Sequence, residues 1–309
     1  GQAGAHGIKT DGTLWGWGDN NKGKLAQNNL TQRSSPVQVP GTTWNVLSLA
    51  GTNSEGGHCI KTDGTLWAWG DNDSGQLGLN NKTEYSSPVQ VPGTTWKATI
   101  TDGHKFMAFK TDGTLWTCGY NGSGQLGHGD TSNESSPKQV PGTTWGDSFG
   151  SNDATAIAVK TDGTLWAWGY NGNGELGQNN RTNYSSPRQV PGTTWSKVNQ
   201  GTQNGICALK TDGTLWAWGN NNTGSLGLNN LTKYSSPVQI PGTTWDNIDG
   251  SFYNMVATKT DGTLWVWGYG GRGALDNNNI IDRSSPTQIP GTWEKTVDGG
   301  GYITTALKN

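Results

Sequence analysis

Apolar positions along the chain recur on two scales. On the short scale they alternate. In Thr65-Leu66-Trp67-Ala68-Trp69-Gly70, period-2 geometry puts Trp67 and Trp69 on one face and Leu66 and Ala68 on the other. Both faces are apolar, so this segment predicts a short strand with sheets packed on both sides. A large ring opposite a small alanine or glycine lets neighbouring sheets approach to about 10 Å. Ile60-Lys61 and Thr65-Leu66-Trp67 flank Thr-Asp-Gly. Asp-Gly between apolar runs predicts a tight hairpin in which both central residues take φ > 0. Pro88-Val89-Gln90-Val91-Pro92 predicts an edge strand, because prolines cannot donate to a ladder and so blunt its outer side. No stretch joins helical periodicity to freedom from glycine and proline, which excludes long helices.

On the long scale the whole pattern repeats. Lys-Thr-Asp-Gly-Thr-Leu-Trp begins at Lys9, Lys61, Lys110, Lys160, Lys210 and Lys259, a period of 49 to 52 residues. Each copy continues through Trp-x-Trp-Gly and x-Asn-x-x-Gly-x-Leu-Gly, then Ser-Ser-Pro-x-Gln-Val/Ile-Pro-Gly-Thr-(Thr)-Trp, with Cys118 replacing the second ring in copy three. All 12 prolines and all 17 tryptophans fall inside this repeat. Four short strands per copy, repeated around an axis, predict an all-β fold of β-propeller type, a single domain over residues 1–309 with no linker. Six four-stranded blades are favoured, with seven as the alternative. Tyr302–Lys308 is a further copy of the strand before Lys9. It is expected to close the ring beside Thr13–Gly18, competing with or joining Gly4–Ile8. The other outcome is pairing with a second chain, which allows self-association through the terminal strands.

Composition narrows the function classes. With 21 basic and 23 acidic residues, the net charge of −2 leaves no electrostatic footprint for nucleic acid or an anionic membrane. No apolar run approaches the roughly 20 residues that span a bilayer, so a soluble chain without membrane insertion is expected. Cys59, Cys118 and Cys207 are odd in number and far apart, and read as small buried hydrophobes rather than a disulfide framework. The start at Gly1 reads as that of a processed product or an excerpt.

The string Leu-Trp-Ala-Trp-Gly-x-Asn-x-x-Gly-x-Leu-Gly, with Asp-Gly before it and Ser-x-Pro-x-x-Val after it, resembles the regulator-of-chromosome-condensation repeat over essentially all 309 residues. The resemblance implies a β-propeller, typically of seven blades. Its members serve as guanine-nucleotide exchange factors, chromatin binders, ubiquitin-ligase adaptors or, in bacteria, a secreted β-lactamase inhibitor. This chain holds six Trp-Gly motifs, a departure from the seven-blade pattern. Exchange activity in the family depends on a wedge-like insertion, for which the uniform repeat spacing leaves no room.

Candidate chemistry is sparse. His6 and His58 share one repeat position and read as strand residues, while His104 and His128 fall in other registers. Neither a zinc-spaced His/Cys set, nor a Gly-x-Ser-x-Gly elbow, nor a phosphate cradle is present, so a non-enzyme without cofactor or metal is expected. Asp11, Asp63, Asp112, Asp162, Asp212 and Asp261 read as hairpin-turn residues. Asp71-Asn72-Asp73-Ser74-Gly75 looks calcium-like, yet its counterparts lose the carboxylates, which favours a turn stabilised by asparagine and glycine. Sequons at Asn29, Asn81, Asn180 and Asn230 share one repeat position, with others at Asn121, Asn133 and Asn221; they mark exposed loops or reflect composition.

The positions where copies disagree carry more information, because recognition residues sit on loops over a rigid scaffold. Tyr120, Tyr170 and Tyr269 follow Trp/Cys-Gly, and Tyr85, Tyr184 and Tyr234 precede Ser-Ser-Pro. Turn tyrosines amid Asn, Ser and Gly resemble the residue set of paratopes, while the bland reading has them covering neighbouring backbone. These six are the candidate binding residues. The segments Asn45–Ile60 and Gly146–Val159 also vary between copies, and part of that variation is expected to face the axial opening. The leading expectation is a binding or structural module, extracellular or on a virion surface, that recognises a protein or a surface glycan. A lectin with repeated sugar sites, an enzyme inhibitor and a nucleotide exchange factor are the alternatives.

Overall fold

The computed structural model describes residues 4–49, 56–152, 154–200, 205–250, 253–275, 279–297 and 305–308. They fall into two compact units, Gly1–Asp147 and Ser148–Asn309. In the first unit a three-stranded sheet (Gly4–Ile8, Leu14–Gly18, Arg33–Gln38) precedes two four-stranded sheets. The second sheet runs Trp44–Leu49, Gly56–Lys61, Leu66–Gly70, Tyr85–Gln90, and the third Trp96–Asp102, Lys105–Lys110, Leu115–Gly119, Glu134–Gln139. The fourth sheet begins with Trp145–Ser151, which spans the division, and continues with Thr155–Lys160, Leu165–Gly169 and Tyr184–Gln189. Two more four-stranded sheets (strands within 195–239 and 245–289) and a two-stranded one (Trp293–Val297, Thr305–Lys308) complete the second unit. Every sheet is an antiparallel meander in chain order. Among the described residues no helix is long and apolar enough to cross a membrane.

The Ser-Ser-Pro strand is the last of its sheet, the edge position its proline requires. The Asp-Gly hairpin differs from the expected two-residue turn. Gly64 donates to the Lys61 carbonyl and Lys61 to the Thr65 carbonyl, and Gly64 (φ 77) takes positive φ while Asp63 does not. This is a three-residue loop, a type I turn closed by a left-handed glycine. Its side chains explain the choice. Asp63 Oδ1 accepts both the Thr65 amide (2.9 Å) and hydroxyl (2.7 Å), and that hydroxyl accepts Trp67 Nε1 (2.9 Å). The Asp-Thr-Trp relay recurs in the other five copies. The hydroxyl and amide donors from threonine hold these aspartates below the usual carboxylate range.

The core lies between consecutive sheets. Leu66, Ala68, Leu77 and Val91 of copy two pack with Trp96, Phe106, Ala108 and Cys118 of the next sheet; Leu165, Ala167, Leu176 and Val190 meet Trp195, Ile206 and Trp218 in the same way. In these two pairs the small-and-branched face of the central strand receives the ring face of its successor. The second ring of the Trp-x-Trp pair also donates to a carbonyl of the preceding copy: Trp69 to Lys24, Trp218 to Glu175 and Trp267 to Ser225. Burying one such side chain removes about 150–250 Å² from water, worth roughly 4–6 kcal/mol gross. Close approach of the next copy requires glycine: at Gly75 (φ 85) an added Cβ would lie 2.7 Å from Ser135 Cα.

Copy three compensates for its missing ring. Position 118 pairs across the sheet with Phe106, whereas Trp69, Trp168 and Trp17 pair with the small Gly57, Ala156 and Ala5, and Trp218 and Trp267 with the aliphatic Ile206 and Met255. The aromatic ring of Phe106, where other copies have Gly, Ala, Ile or Met, fills the volume that Cys118 vacates, and both are fully buried.

The C-terminal strand does not take the expected place. Leu14–Gly18 has Gly4–Ile8 on one side and Arg33–Gln38 on the other, so both of its edges are filled. Thr305–Lys308 pairs instead with Trp293–Val297. Part of the variable segment between Asn45 and Ile60, residues 50–55, lies outside the described residues, as does residue 153 of the other.

Candidate protein-binding loops

The loop between the Trp-x-Trp strand and the Ser-Ser-Pro strand is built on one buried asparagine. Asn72 Oδ1 accepts the Leu77 amide (3.0 Å), and its Nδ2 donates to the carbonyls of Asn81 (3.0 Å) and Thr83 (3.0 Å). Asn20, Asn121, Asn171 and Asn221 make the same three bonds in their copies. All five are fully buried. Each thereby grips the backbone on both sides of one residue, the loop tip. Asn81 tightens the tip further: its Oδ1 accepts the Thr83 amide (2.9 Å), and its Nδ2 donates to the Leu79 carbonyl (3.0 Å). Such an Asx turn limits backbone freedom in advance of any binding event.

The tips are Leu30, Lys82, Thr131, Arg181, Leu231 and Ile280, no two copies alike except for the leucines. Leu30 is 65% exposed, Leu231 61%, and Ile280 with its neighbour Ile281 71% and 58%. These are the large aliphatic side chains that the described chain leaves in solvent. Copy six reaches the same end differently. Gly270 replaces the anchor asparagine, its amide donates to Asp282 Oδ1 (2.8 Å), and the Ile281 carbonyl occupies the space a side chain would need.

The six tyrosines line these loops rather than forming the tips. Tyr85, Tyr184 and Tyr234 are half-buried against the inter-sheet cores, and their hydroxyls accept Nδ2 of Asn81, Asn180 and Asn230 (3.3, 3.2 and 3.2 Å). Tyr120, Tyr170 and Tyr269 each lie across the glycine two residues on; a Cβ at Gly122, Gly172 or Gly271 would overlap the phenol ring. Copies without tyrosine here carry Asn21, Asp73 or Asn222 at the glycine's position. Tyr120 is the most open of the six, 45% exposed. The tips themselves had a signal in the sequence, the variable residue of Asn-x-Thr, but it is masked by the sequon pattern. The sequon asparagines Asn29, Asn81, Asn180 and Asn230 have their Nδ2 engaged by loop carbonyls, and Asn121 and Asn221 are the buried anchors.

The remaining ring faces are covered. Lys61 Nζ sits 4.5 Å from the Trp67 ring centre and 4.6 Å from that of Trp44, and the two indoles meet edge-on at 6.1 Å. Lys110, Lys210 and Lys259 fill the same two-indole cage. The histidines serve the fold. His58 is fully buried, stacks on Phe106 at 4.8 Å and shares a hydrogen bond with Thr101 Oγ1 (2.9 Å). Burial pushes it down to about 3, and His6 to about 4. His128 bridges Thr117 Oγ1 and the Lys138 carbonyl, and His104 is exposed.

Comparison with known proteins follows this geometry. Human protein RCC2 is 34% identical over 85 residues, 27% of this chain and 16% of its own length, so the match spans about a sixth of that relative. Human WBSCR16 superposes over 100% of this chain and 84% of its own with a TM-score of 0.79 at 22% identity. Yeast RCC1 (Prp20), in its complex with Kap60, covers 100% of this chain and 79% of its own with a TM-score of 0.80 at 16% identity. These likenesses show the fold, an all-β propeller of four-stranded blades. The Regulator of chromosome condensation (RCC1) repeat itself matches residues 11–50, 63–106, 112–158, 162–207, 212–246 and 261–307, and the chain belongs to that family.

Proposed function

We propose that the chain is a non-enzymatic protein-binding propeller that engages its partner through its pinned loop tips. The observation that carries this reading is the exposure of Leu231, Ile280 and Ile281 on pinned turns of the second unit; Leu30 is exposed in the same way in the first. Exposed aliphatic side chains held on rigid backbone lose little entropy on docking, and they suit a protein surface better than a sugar. A glycan site would need open ring faces, and the outer indoles of the repeat are caged by lysine. The yeast neighbour is itself seen in complex with a protein, Kap60. An extracellular or virion-surface setting is part of the same proposal. It is supported by low charge content and abundant Asn, Gly and Thr. Surface labelling of intact cells or particles with an impermeant reagent checks it.

The binding reading is tested by affinity capture with the full chain and its Leu231→Asp and Ile280→Asp variants, alongside a glycan array. Capture of one protein that weakens at least tenfold in the variants is expected, with no glycan bound. Capture indifferent to both substitutions, or glycan binding that survives them, overturns it.

A further inference from the structure

We propose that Asp71, Asp73 and Glu84 form a Ca²⁺-class divalent-cation site for which the Lys22 ammonium stands in. One carboxylate oxygen from each lies within 4.8 Å of the others. That is the span allowed to ligands of one ion with bonds of about 2.3–2.6 Å. Lys22 Nζ sits among them, paired with Glu84 and 3.7 and 3.8 Å from Asp73 and Asp71.

The second observation is an orphaned buried oxygen. Asp71 is 7% exposed; its Oδ2 takes Gln76 Nε2 at 2.7 Å, while Oδ1 has no hydrogen-bond partner and faces the ammonium from 3.8 Å. That separation is too long for a hydrogen bond, and the ion pair at this distance offsets only part of the desolvation cost of a buried carboxylate oxygen. An ammonium is a compact point charge that closes on Glu84 and leaves Asp71 and Asp73 at a distance. A divalent ion reaches all three, and the open side formed by Asp73 (70% exposed) and Glu84 (38%) admits the waters that complete six to eight ligands. Three negative charges against one positive charge favour the exchange.

The scaffold is in place before the ion. Gln76 orients Asp71, and the Asn72 anchor holds the Thr83 carbonyl next to Glu84. Three carboxylates coincide in copy two alone. The equivalent triples are Asp19/Asn21/Gln32, Tyr120/Gly122/Asn133, Tyr170/Gly172/Asn183, Asn220/Asn222/Lys233 and Tyr269/Gly271/Asp282. In copy five the third position is the cation, and Lys233 bonds Asn173 Oδ1 of the preceding copy at 2.8 Å.

The test is calorimetric titration of the full chain with calcium chloride at low ionic strength. Lys22→Met, and Lys22→Gln as a second variant in case the first unfolds, should bind one ion per chain at least tenfold more tightly than the unaltered protein. Adding Asp73→Asn or Glu84→Gln to either should remove that binding. Circular dichroism of each variant checks its fold. Equal affinity with and without Lys22, absence of binding in the folded Lys22 variants, or tight binding that survives loss of both Asp73 and Glu84 carboxylates each overturns the site.

Discussion

The exchange of volume between Cys118 and Phe106 makes a sharp prediction about how adjacent sheets fit together. Phe106 is fully buried, opposite Cys118 in the sheet and stacked on His58 at 4.8 Å. Phe106→Ala alone removes a buried ring and leaves a cavity, at a cost of about 3–5 kcal/mol. Cys118→Trp alone forces an indole into a space that Phe106 already fills, and overpacking of this kind costs about 1–3 kcal/mol. The double variant recreates the Trp168/Ala156 pair of the fourth sheet. Its new indole should lie where Trp69 and Trp218 lie in their copies, within reach of the Gln76 carbonyl, the counterpart of Lys24 and Glu175. Additive behaviour predicts a loss of roughly 4–8 kcal/mol, whereas volume exchange predicts a loss within about 1–2 kcal/mol, a coupling of at least about 2 kcal/mol. Urea unfolding of the four proteins, followed by circular dichroism, measures it. A double variant no more stable than the sum of its parts would refute the idea that ring and small residue trade places as one unit.

Three further outcomes are expected. Thr95 is an exposed β-branched residue at φ 66, a conformation shared by Thr43, Thr144, Thr194 and Thr244, and left-handed backbone costs such residues about 1–2 kcal/mol; Thr95→Asn, better suited to that region, should raise stability by about 0.5–1 kcal/mol in a thermal melt. His58 is held neutral when folded, down to about 3 from 6.5, so the unfolded chain binds its proton first as pH falls. Stability should be full above pH 6.5 and decline towards pH 3, and His58→Gln should flatten that decline by up to about 1.4 kcal/mol per pH unit in urea titrations at stepped pH. Lys210→Met keeps the alkyl stem between Trp195 and Trp216 and deletes the charge; it should cost about 1 kcal/mol, the cation–π share of the cage, read from the urea midpoint.

Most of the fold was legible because the repeat states each constraint six times over. Gly64 at positive φ, the edge proline of the Ser-Ser-Pro strand and the apolar faces of Leu66–Gly70 are all visible in one copy and confirmed by the next. The hairpin class was not legible, because it depends on Asp63 accepting from Thr65, and a turn that binds its own side chains outweighs the dipeptide preference. The place of Thr305–Lys308 was not legible either, since likeness to the strand before Lys9 says what a segment can pair with and not which edges are already filled.

The candidate site shows where reading by variation succeeds and where it misleads. Copies differ at two physically distinct kinds of position. At one kind the change is answered inside the fold: Cys118 by Phe106, and Tyr120, Tyr170 and Tyr269 by Gly122, Gly172 and Gly271 beneath their rings. Variation of that kind is spent on packing, and a tyrosine chosen because it varies is then chosen partly for its neighbour. At the other kind nothing answers. Leu30, Lys82, Thr131, Arg181, Leu231 and Ile280 follow one another at a single pinned turn with no compensating change in the asparagines that hold all but the last of them. A position that the scaffold fixes in space and leaves unconstrained in chemistry is the one a partner can select, which is why the tips, more than the tyrosines beside them, carry the binding proposal.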